Sequence, residues 1–248
     1  MMLHVVDAGA ARGEDNMRLD VELADRVRSG AAAATMRLYT WEPWCVSLGK
    51  HQPRSAVVQS DIEARGFDLV HRPTGGRAVL HADEVTYCVC MPVIDSLEAR
   101  RLYAEIHTLL YGALRLLSHE LMFAAIDSDL RTHYASSGPM GQACFTSHAR
   151  TEILWHGRKV VGSAQRVIDG VLLQHGSILC GAGHEQLADV VSATDADREQ
   201  LRHTITGSSA TLSQAAGRTV TAREVLDVIA SNVARTPISG PLLADAQH

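Results

Sequence analysis

Alternating and helical hydrophobic patterns divide the chain into short strands and a few amphipathic helices. The segment NMRLDVELADRVRSG places Met17 and Ala24 in a loosely helical pattern that Gly30 ends. Two strand-like runs, MRLYTW and CVSLGK, come next and are separated by Glu42-Pro43. The stretch HRPTGGRAVLHADEVTY then predicts a strand, a turn and a second strand, which continues into the β-rich run VTYCVCMPV.

Two further helices begin with capping signals. Asp95 or Ser96 can cap the first, and Glu98 completes a capping box with Asp95. Thr221 and Glu224 form the same pattern at the start of the second. Helical spacing predicts a buried stripe on each: Leu102, Ile106, Leu109, Leu110, Ala113, Leu114 and Leu117 on the first, and Val225, Leu226, Ile229 and Val233 on the second. Because strands and helices do not alternate strictly, the pattern favours an α+β fold over a doubly wound sheet.

The section TEILWHGRKVVGSAQRVIDGVLLQHGSILCG predicts a three-stranded meander. His156-Gly157 and Asp169-Gly170 are turn dipeptides between its apolar runs. Residues 135–148, upstream of it, are small and polar and have the composition of a loop.

Polar residues share one face of the middle strand of this meander. Alternation over residues 159–167 puts Lys159, Ser163 and Gln165 together. A two-residue turn at Asp169-Gly170 would place Gln165 opposite Gln174 and Ser163 opposite Gly176. This face is either a polar-lined pocket, in which Gly176 leaves a gap, or an ordinary solvent-exposed surface.

Composition limits the class of protein. The chain has 248 residues, 46% hydrophobic and 21% charged, which is typical of a globular protein, and we treat residues 1–248 as one domain. The net charge of −5 gives no global reason to expect binding to nucleic acid or to a membrane. Five scattered cysteines without zinc-like spacing indicate reduced thiols and no structural metal. No leader-like or membrane-spanning stretch is visible, so we expect a cytoplasmic protein.

The paired glycines of HRPTGGRAVLH allow two interpretations. Gly75 and Gly76 either form a tight turn, or let a ligand lie against bare backbone while Arg72 holds an anionic group. Neither common phosphate-binding loop is present. His175, among apolar residues, is either a satisfied structural histidine or a ligand-binding one, and the neighbouring Gly176 favours a site.

Cys144 differs from the other cysteines. Cys45, Cys88, Cys90 and Cys180 lie in apolar or strand-like runs, where a free cysteine is usually a small buried hydrophobe. Cys144 instead follows a loop of small residues, and a nearby cation such as that of Lys159 would favour its thiolate.

Three separated blocks, RPTGGRAVLH, GRKVVGSAQR and LLQHGSIL, resemble the lipoate–protein ligase A family of the biotin/lipoate ligase superfamily. NMRLD and LYTWEPWCVSLGKHQP resemble its N-terminal portion, so the similarity covers about residues 15 to 180. The resemblance implies a mixed β-sheet with flanking helices around an acyl pocket. It also implies transfer of octanoyl or lipoyl groups to a lysine of a lipoyl domain or of the glycine-cleavage H protein.

Two chemistries share that scaffold, and three features resemble the cysteine-dependent octanoyltransferases. Arg77 follows the glycines where ligases more often carry a third glycine, Cys144 stands ahead of the Lys159 turn, and little chain remains for an accessory domain. Ala82 departs from the transferase pattern, which tends to have aspartate there, and Glu152 with its neighbours resembles the ligase arrangement. The alternatives are an ATP- and magnesium-dependent lipoate ligase, an amidotransferase acting between lipoyl proteins, and a non-catalytic acyl-binding protein.

The transferase resemblance implies a defined mechanism and site. Cys144 would take the octanoyl group from octanoyl-acyl carrier protein as a thioester, without a cofactor, and pass it to the acceptor lysine. Lys159 would favour the thiolate and stabilise the developing oxyanion. The substrate-binding residues that it implies are Arg72, Gly75, Gly76, Arg77, His81, Thr86, Gly162, Ser163, Gln165, His175 and Gly176.

Overall fold

The computed structural model describes residues 1–125 and 151–239, and for residues 124, 125 and 151 it describes the backbone alone. Within those ranges, no helix is both long and apolar enough to cross a membrane. The elements form an α+β fold, as the sequence predicts. The strands are β1 (His4–Ala11), β2 (Thr35–Trp41), β3 (Cys45–Leu48), β4 (Asp68–His71), β5 (Val79–His81), β6 (Glu84–Pro92), β7 (Met122–Ala125), β8 (Thr151–Trp155), β9 (Arg158–Lys159), β10 (Val161–Ile168) and β11 (Val171–Leu179).

Six α-helices and two 3-10 segments accompany the strands in the described part of the chain. The 3-10 segments cover Arg54–Ala56 and Ala182–Asp189. The α-helices are α1 (Gly13–Arg28), α2 (Gln59–Ala64), α3 (Ser96–Leu114), α4 (Asp195–Ser208), α5 (Leu212–Ala216) and α6 (Ala222–Val233).

The described strands form three sheets. The largest has the order β1-β2-β6-β11-β10, with β1 and β2 parallel and the other pairs antiparallel. A second has the order β4-β3-β5, and a third the order β7-β8-β9. Because β2 and β3 are consecutive in the chain but belong to different sheets, the segment at Glu42-Pro43 carries the chain from one sheet to the next.

The main core lies between the large sheet and helices α3 and α6. The predicted stripes of both helices are buried there, except that Leu109 and Leu117 are only partly buried. The large sheet contributes alternate residues of its central strands, namely Met36, Leu38, Val85, Tyr87, Val89 and Met91.

Helix α1 covers the opposite face of the large sheet. Its apolar contacts come from Met17, Ala24 and Val27, which pack on Trp41 and Leu173. Two polar residues, Asn16 and Asp20, are fully buried on the same helix face. A smaller core joins the β4-β3-β5 sheet to α2, the 3-10 segment Ala182–Asp189 and α4, with Val46, Leu48, Ile62, Leu80, Leu187 and Leu201 at its centre.

The helix caps agree with the sequence prediction at α6 and differ from it in one detail at α3. Thr221 and Glu224 form the complete predicted capping box of α6. At α3, Asp95 accepts hydrogen bonds from the amides of Leu97 and Glu98. The Glu98 carboxylate, however, accepts from the backbone N–H of Ile94 rather than of Asp95. The predicted reciprocal box is therefore wrong at α3, although its N-cap is right.

Both predicted hairpin turns are present, but the predicted meander is interrupted. His156-Gly157 joins β8 to β9 and Asp169-Gly170 joins β10 to β11, with positive φ at both residues of each turn. Between these hairpins the chain leaves the β7-β8-β9 sheet and enters the large one at Val160. One continuous strand over residues 159–167 was therefore a wrong prediction, because Lys159 and Ser163 belong to different sheets.

Candidate functional site

The paired glycines form a turn that a buried arginine holds from within. The guanidinium of Arg72 donates to the Gly75 carbonyl at 2.9 and 3.2 Å and to the Arg77 carbonyl at 2.6 Å. It also donates to the Ser47 carbonyl at 3.0 Å. Gly76 has φ 100°, a conformation that favours glycine. These contacts show that the Arg72 guanidinium holds the backbone of the turn, as the interpretation of Gly75 and Gly76 as a tight turn requires.

A third glycine, which the sequence does not single out, makes the turn possible. A Cβ atom on Gly49 would lie 1.9 Å from the carbonyl oxygen of Gly76. The backbone N–H of the next residue, Lys50, donates to the Thr74 carbonyl at 2.9 Å. Gly49 therefore allows the end of β3 to lie against the turn backbone to backbone. Its position at the end of a strand-like run was the signal that could have indicated this role.

Alanine substitutions should destabilise the protein at Gly49 and leave its stability nearly unchanged at Gly75. We expect Gly49→Ala to cost about 2 kcal/mol or more, because its Cβ meets backbone that must shift. A Cβ on Gly75 meets nothing within 4 Å, so Gly75→Ala should leave the free energy of unfolding within about 0.5 kcal/mol of wild type. Urea denaturation measures both variants. Equal stability of the two would contradict the assigned contact.

An open cleft lies beside the turn. It has a volume of about 360 Å³ and is lined by His51, Gln52, Pro53, Ser55, Ala56, Gly75, Gly76 and Arg77. The open space at Gly75 belongs to this cleft. The predicted site residues Gly75, Gly76 and Arg77 therefore share a concave surface.

His81 and Thr86, two predicted site residues, share the carboxylate of Glu84. His81 contacts Ser47 Oγ through Nε2 and Glu84 Oε1 through Nδ1, each at 2.8 Å. Thr86 donates to the same Glu84 oxygen at 2.6 Å and accepts from the indole of Trp41 at 2.8 Å. The Trp41 ring also stacks on the imidazole, with centroids 4.1 Å apart.

Further contacts connect His81 to the glycine turn. Arg72 donates to Ser47 Oγ at 3.2 Å, and Ser177 Oγ lies 3.2 Å from Nδ1 of His81. The second carboxylate oxygen of Glu84, Oε2, is buried without a hydrogen bond in the described part of the chain. A chain of hydrogen bonds thus runs from Glu84 through His81 and Ser47 to Arg72 and the glycine turn.

His175 joins the turn to the buried polar residues of α1. Its Nε2 lies 2.6 Å from Thr74 Oγ1, and its Nδ1 lies 3.5 Å from a carboxylate oxygen of Asp20. Asp20 also accepts from Arg37 and from the hydroxyl of Tyr39, each at 2.8 Å. Burial lowers the pKa of His175. These contacts favour the first of the two interpretations of His175, a structural histidine whose ring nitrogens have partners within the protein.

Lys159, the predicted catalytic cation, is buried and forms an ion pair. Its ammonium lies 2.6 Å from Glu152 Oε1, and both side chains are less than a tenth exposed. The preceding hairpin brings them together, because Glu152 lies in β8 and Lys159 in β9. The charge of Lys159 is therefore held in place by a neighbour in its own sheet.

A directed chain of hydrogen bonds lies under α3, on the other side of the large sheet from His175. Gln174 donates to the Tyr87 hydroxyl at 2.9 Å, and Tyr87 donates to Ser163 at 2.7 Å. The Ser163 oxygen lies 3.0 Å from Nε2 of His107, whose Nδ1 lies 2.8 Å from a backbone carbonyl. Burial raises the pKa of Tyr87 to about 12.

The predicted pairing of these strands is confirmed, while the expected gap is not. Gln165 pairs with Gln174 and Ser163 with Gly176. A Cβ on Gly176, however, would lie 2.5 Å from Ser163 Oγ and 2.8 Å from the Tyr87 ring. Ser163 and Tyr87 therefore occupy the space that a side chain at residue 176 would take. Gly162 pairs with Ser177, next to Ser163 along β10.

Protonation of His107 should reduce stability in mild acid. Burial lowers its pKa from 6.5 to about 4, so the folded protein keeps it neutral where the unfolded chain already binds a proton. Its contribution is complete above pH 6.5 and is lost as pH falls towards 4, by up to about 3 kcal/mol. We expect His107→Gln to lose less stability than wild type between pH 7 and pH 4.5 in urea denaturation. An identical loss in both proteins would contradict this assignment.

The structure thus gathers the predicted residues into two groups. Arg72, Gly75, Gly76, Arg77, His81, Thr86 and His175 surround or support the glycine turn. A second group lies near α3: Ser163 contacts His107 of that helix, the charge of Lys159 acts on the same histidine, and Gln165 follows Ser163 along β10. Asn16, Asp20, Ser47, Glu84 and His107 belong to these networks and were missed, because a buried polar residue follows no hydrophobic period. Cys144 lies outside the described residues.

Comparison with known proteins gives consistent results. The family model described as "Lipoyl protein ligase A/B catalytic domain" matches residues 12–234. The chain is 36% identical over 239 residues to Octanoyltransferase LipM of Kyrpidia tusciae, covering 94% of this chain and 85% of that protein. It is 35% identical over 216 residues to Octanoyltransferase LipM of Exiguobacterium sibiricum, covering 85% and 78%.

A solved structure shows the same fold. The bipartite lipoate protein ligase of Thermoplasma acidophilum, solved in a study of that ligase and its E2 lipoyl domain, superposes with a TM-score of 0.70. The match covers 94% of this chain and 82% of that one, at 18% sequence identity. The likeness therefore establishes the architecture, a mixed sheet with flanking helices.

Proposed function

Because the chain belongs to the lipoyl protein ligase A/B catalytic domain family, we propose that it is an octanoyltransferase of protein lipoylation. It moves an octanoyl group from octanoyl-acyl carrier protein to a lysine of a lipoyl domain or of the glycine-cleavage H protein. The observation that carries this choice is the similarity to a protein named octanoyltransferase, which reaches 36% identity and covers 94% of this chain. In this proposal the Lys159 ammonium, which Glu152 holds in position, stabilises the negative charge that develops during the reaction.

The first step forms an octanoyl-enzyme on Cys144. The thiolate sulfur attacks the carbonyl carbon of the donor thioester, a new C–S bond forms, and the C–S bond to the carrier breaks. The carrier leaves as a thiol after taking the proton that the Cys144 thiol gave up when its thiolate formed. Lys159 favours the attacking thiolate and stabilises the oxyanion as charge develops on the carbonyl oxygen.

The second step transfers the group to the acceptor. The neutral amine of the acceptor lysine attacks the enzyme thioester, a C–N bond forms, and the C–S bond to Cys144 breaks. The proton released by the amine returns to the cysteine sulfur. Exchange of thioesters is nearly isoenergetic and formation of an amide is downhill, so the reaction needs neither ATP nor another cofactor. Glu152, in contact with the Lys159 ammonium, keeps that cation oriented through both steps.

The glycine turn supplies the substrate-binding surface in this proposal. Gly75 and Gly76 expose backbone to the cleft, and Arg77 lines it beside them. Arg72, His81 and Thr86 then act from behind the turn by holding its shape. An eight-carbon chain contributes about 0.8 kcal/mol for each methylene that it buries, so much of the binding energy comes from the acyl chain.

The dependence on ATP separates this function from its alternatives. A lipoyl domain is incubated with the enzyme and one of three donors: octanoyl-carrier protein without ATP, free octanoate with ATP and Mg²⁺, or octanoylated H protein without ATP. We expect modification of the acceptor lysine in the first mixture. Modification in the second mixture alone would establish a ligase, and transfer from an octanoylated H protein alone would establish an amidotransferase. Binding of octanoate without any transfer would favour an acyl-binding protein.

A further inference from the structure

The main chain of Lys159 is held from both sides. On one side Lys159 pairs with Leu154 of β8. On the other side it forms a parallel bridge with Ser209, and its carbonyl accepts a hydrogen bond from the backbone N–H of Ala210 at 2.9 Å. Because Ser209 directly follows α4, the position of the predicted catalytic lysine depends on how the end of that helix is held.

A buried histidine holds the end of α4. The Ser209 hydroxyl donates to the Ile205 carbonyl at 2.7 Å, and its oxygen lies 2.8 Å from Nε2 of His184. His184 belongs to the 3-10 segment Ala182–Asp189, and both His184 and Ser209 are buried. A hydrogen bond is stronger in a buried place than at the surface, so this contact joins the 3-10 segment to the end of α4.

The start of the 3-10 segment lies against the chain that follows β5. The backbone N–H groups of Cys180 and Gly181 donate to the Asp83 carbonyl at 2.8 and 2.9 Å. A Cβ atom on Gly183 would lie 2.8 Å from the Cβ of Ala82, so the two segments are in close contact. The last residue of β5 belongs to the group that surrounds the glycine turn. A continuous set of contacts therefore connects that group to the catalytic lysine through the 3-10 segment and the end of α4.

We propose that His184 is a positioning residue, which holds Ser209 and thereby fixes Lys159 relative to the glycine turn. The inference rests on the proposed function and deepens it, because it names the contact through which the two groups of site residues keep their relative position. His184 acts through Ser209 and the backbone of Lys159, and it has no contact with the substrate in this proposal.

Both ends of the Lys159 side chain are then fixed. The Glu152 carboxylate lies 2.6 Å from the ammonium, and the contacts described above hold the backbone. In the proposed mechanism the ammonium must face the Cys144 sulfur and the developing oxyanion, and such catalysis is sensitive to displacements of about 1 Å. Loss of the contact between His184 and Ser209 should therefore weaken catalysis in a protein that still folds.

Two variants of His184 differ in whether this contact is kept. His184→Leu removes it, whereas the amide of His184→Gln can donate to Ser209 or accept from it. Acylation of the enzyme by octanoyl-carrier protein is followed by intact mass, and each rate is divided by the folded fraction measured by circular dichroism. In His184→Leu we expect the maximal rate to fall about tenfold, with an unchanged donor concentration at half of that rate.

The pH dependence of acylation is the readout that a merely structural role would not move. At low donor concentration, the acid limb of the rate reports the pKa of the Cys144 thiol in the free enzyme. A displaced cation stabilises the thiolate less, so in His184→Leu we expect the limb to move upwards by about 0.5–1 pH unit. His184→Gln should keep the wild-type limb and a maximal rate within about threefold of wild type.

Ser209→Ala tests the other partner of the contact. This variant should reproduce the shift of the acid limb seen in His184→Leu. Combining the two substitutions should increase the shift no further, because both residues act through the same contact. Since Ser209→Ala removes a single hydroxyl, it gives the same answer if His184→Leu folds poorly.

Leu201→Val is the matched control for loss of stability. Leu201 is fully buried in α4, within the smaller core. Loss of a methylene there should lower the midpoint of urea denaturation while leaving the contact between His184 and Ser209 in place. We expect this variant to keep the wild-type acid limb and the wild-type rate per folded enzyme.

The outcomes separate the two proposals. An acid limb that moves upwards in His184→Leu and Ser209→Ala, and stays in place in His184→Gln and Leu201→Val, supports the positioning role. An unmoved limb in Ser209→Ala and His184→Leu, or an equal shift in Leu201→Val, overturns it while leaving the octanoyltransferase standing. If octanoyl-carrier protein does not acylate the wild type, the proposed function itself fails and the positioning role fails with it.

Discussion

Replacing Cys144 with alanine is expected to abolish octanoyl transfer, with a fall in kcat/KM of about 10³-fold or more. In the proposed mechanism the Cys144 sulfur forms the C–S bond that takes the acyl group from the donor, and cleavage of that bond releases the group to the acceptor. The measurement is octanoylation of a lipoyl domain from octanoyl-carrier protein.

Cys180→Ala is the matched control for this variant. Burial raises the pKa of Cys180 to about 12, so its thiol stays protonated and unreactive at neutral pH. Burial likewise raises the pKa of Cys45 and of Cys88. We therefore expect Cys180→Ala to keep close to wild-type activity. Activity that survives Cys144→Ala, or that disappears in Cys180→Ala without loss of folding, would contradict the assignment of the nucleophile.

Lys159→Ala is expected to damage both stability and activity. The Lys159 ammonium lies 2.6 Å from the Glu152 carboxylate, and both groups are buried. Removing one partner of a buried pair leaves a charge in a poorly solvated place, which typically costs about 3–5 kcal/mol. We expect a loss of about 3 kcal/mol in urea denaturation and at least a 100-fold fall in transfer.

A double variant separates the two effects of Lys159. Lys159→Met/Glu152→Gln removes both charges and keeps similar volumes, so most of the stability should return. Activity should not return, because the ammonium that stabilises the thiolate and the oxyanion is still missing. If the double variant recovered wild-type transfer, Lys159 would be a structural residue with no part in the chemistry.

Much of the fold follows from local sequence rules. Asp169-Gly170 alone predicts the hairpin, and the hairpin then determines that Gln165 pairs with Gln174. Thr221 and Glu224 similarly predict the start of α6. These features depend on residues within a few positions of one another. Turns, hairpins and helix caps that depend on residues close together in the sequence can therefore be predicted from it.

The errors come from contacts between distant segments. Alternation assumed one strand through Val160, but the chain changes sheets there, and strict period-2 reasoning cannot detect such a change. Asp20 on α1 was missed because its burial depends on Arg37 and Tyr39 of β2, which neutralise and hydrogen-bond it. Gly176 was assigned a gap because Tyr87, which fills it, lies 89 positions earlier in the chain.

The glycine turn shows the same limit within the candidate site. The sequence pattern identifies Gly75 and Gly76 and leaves open whether they form a turn or bind a ligand. Only the structure reveals that Arg72 holds their backbone and that Gly49 lies against it. The proposed binding surface is therefore the open front of the turn itself, because Arg72 holds the backbone from behind and the glycines line the cleft.

The central claim is that the enzyme itself carries the octanoyl group, and intact mass spectrometry tests it most directly. The protein is incubated with octanoyl-carrier protein in the absence of ATP, and an excess of a lipoyl domain is then added. We predict a gain of one octanoyl group, located on the peptide that contains Cys144, and its loss to the acceptor lysine. Absence of the adduct, or an equal adduct on Cys144→Ala, would contradict the account.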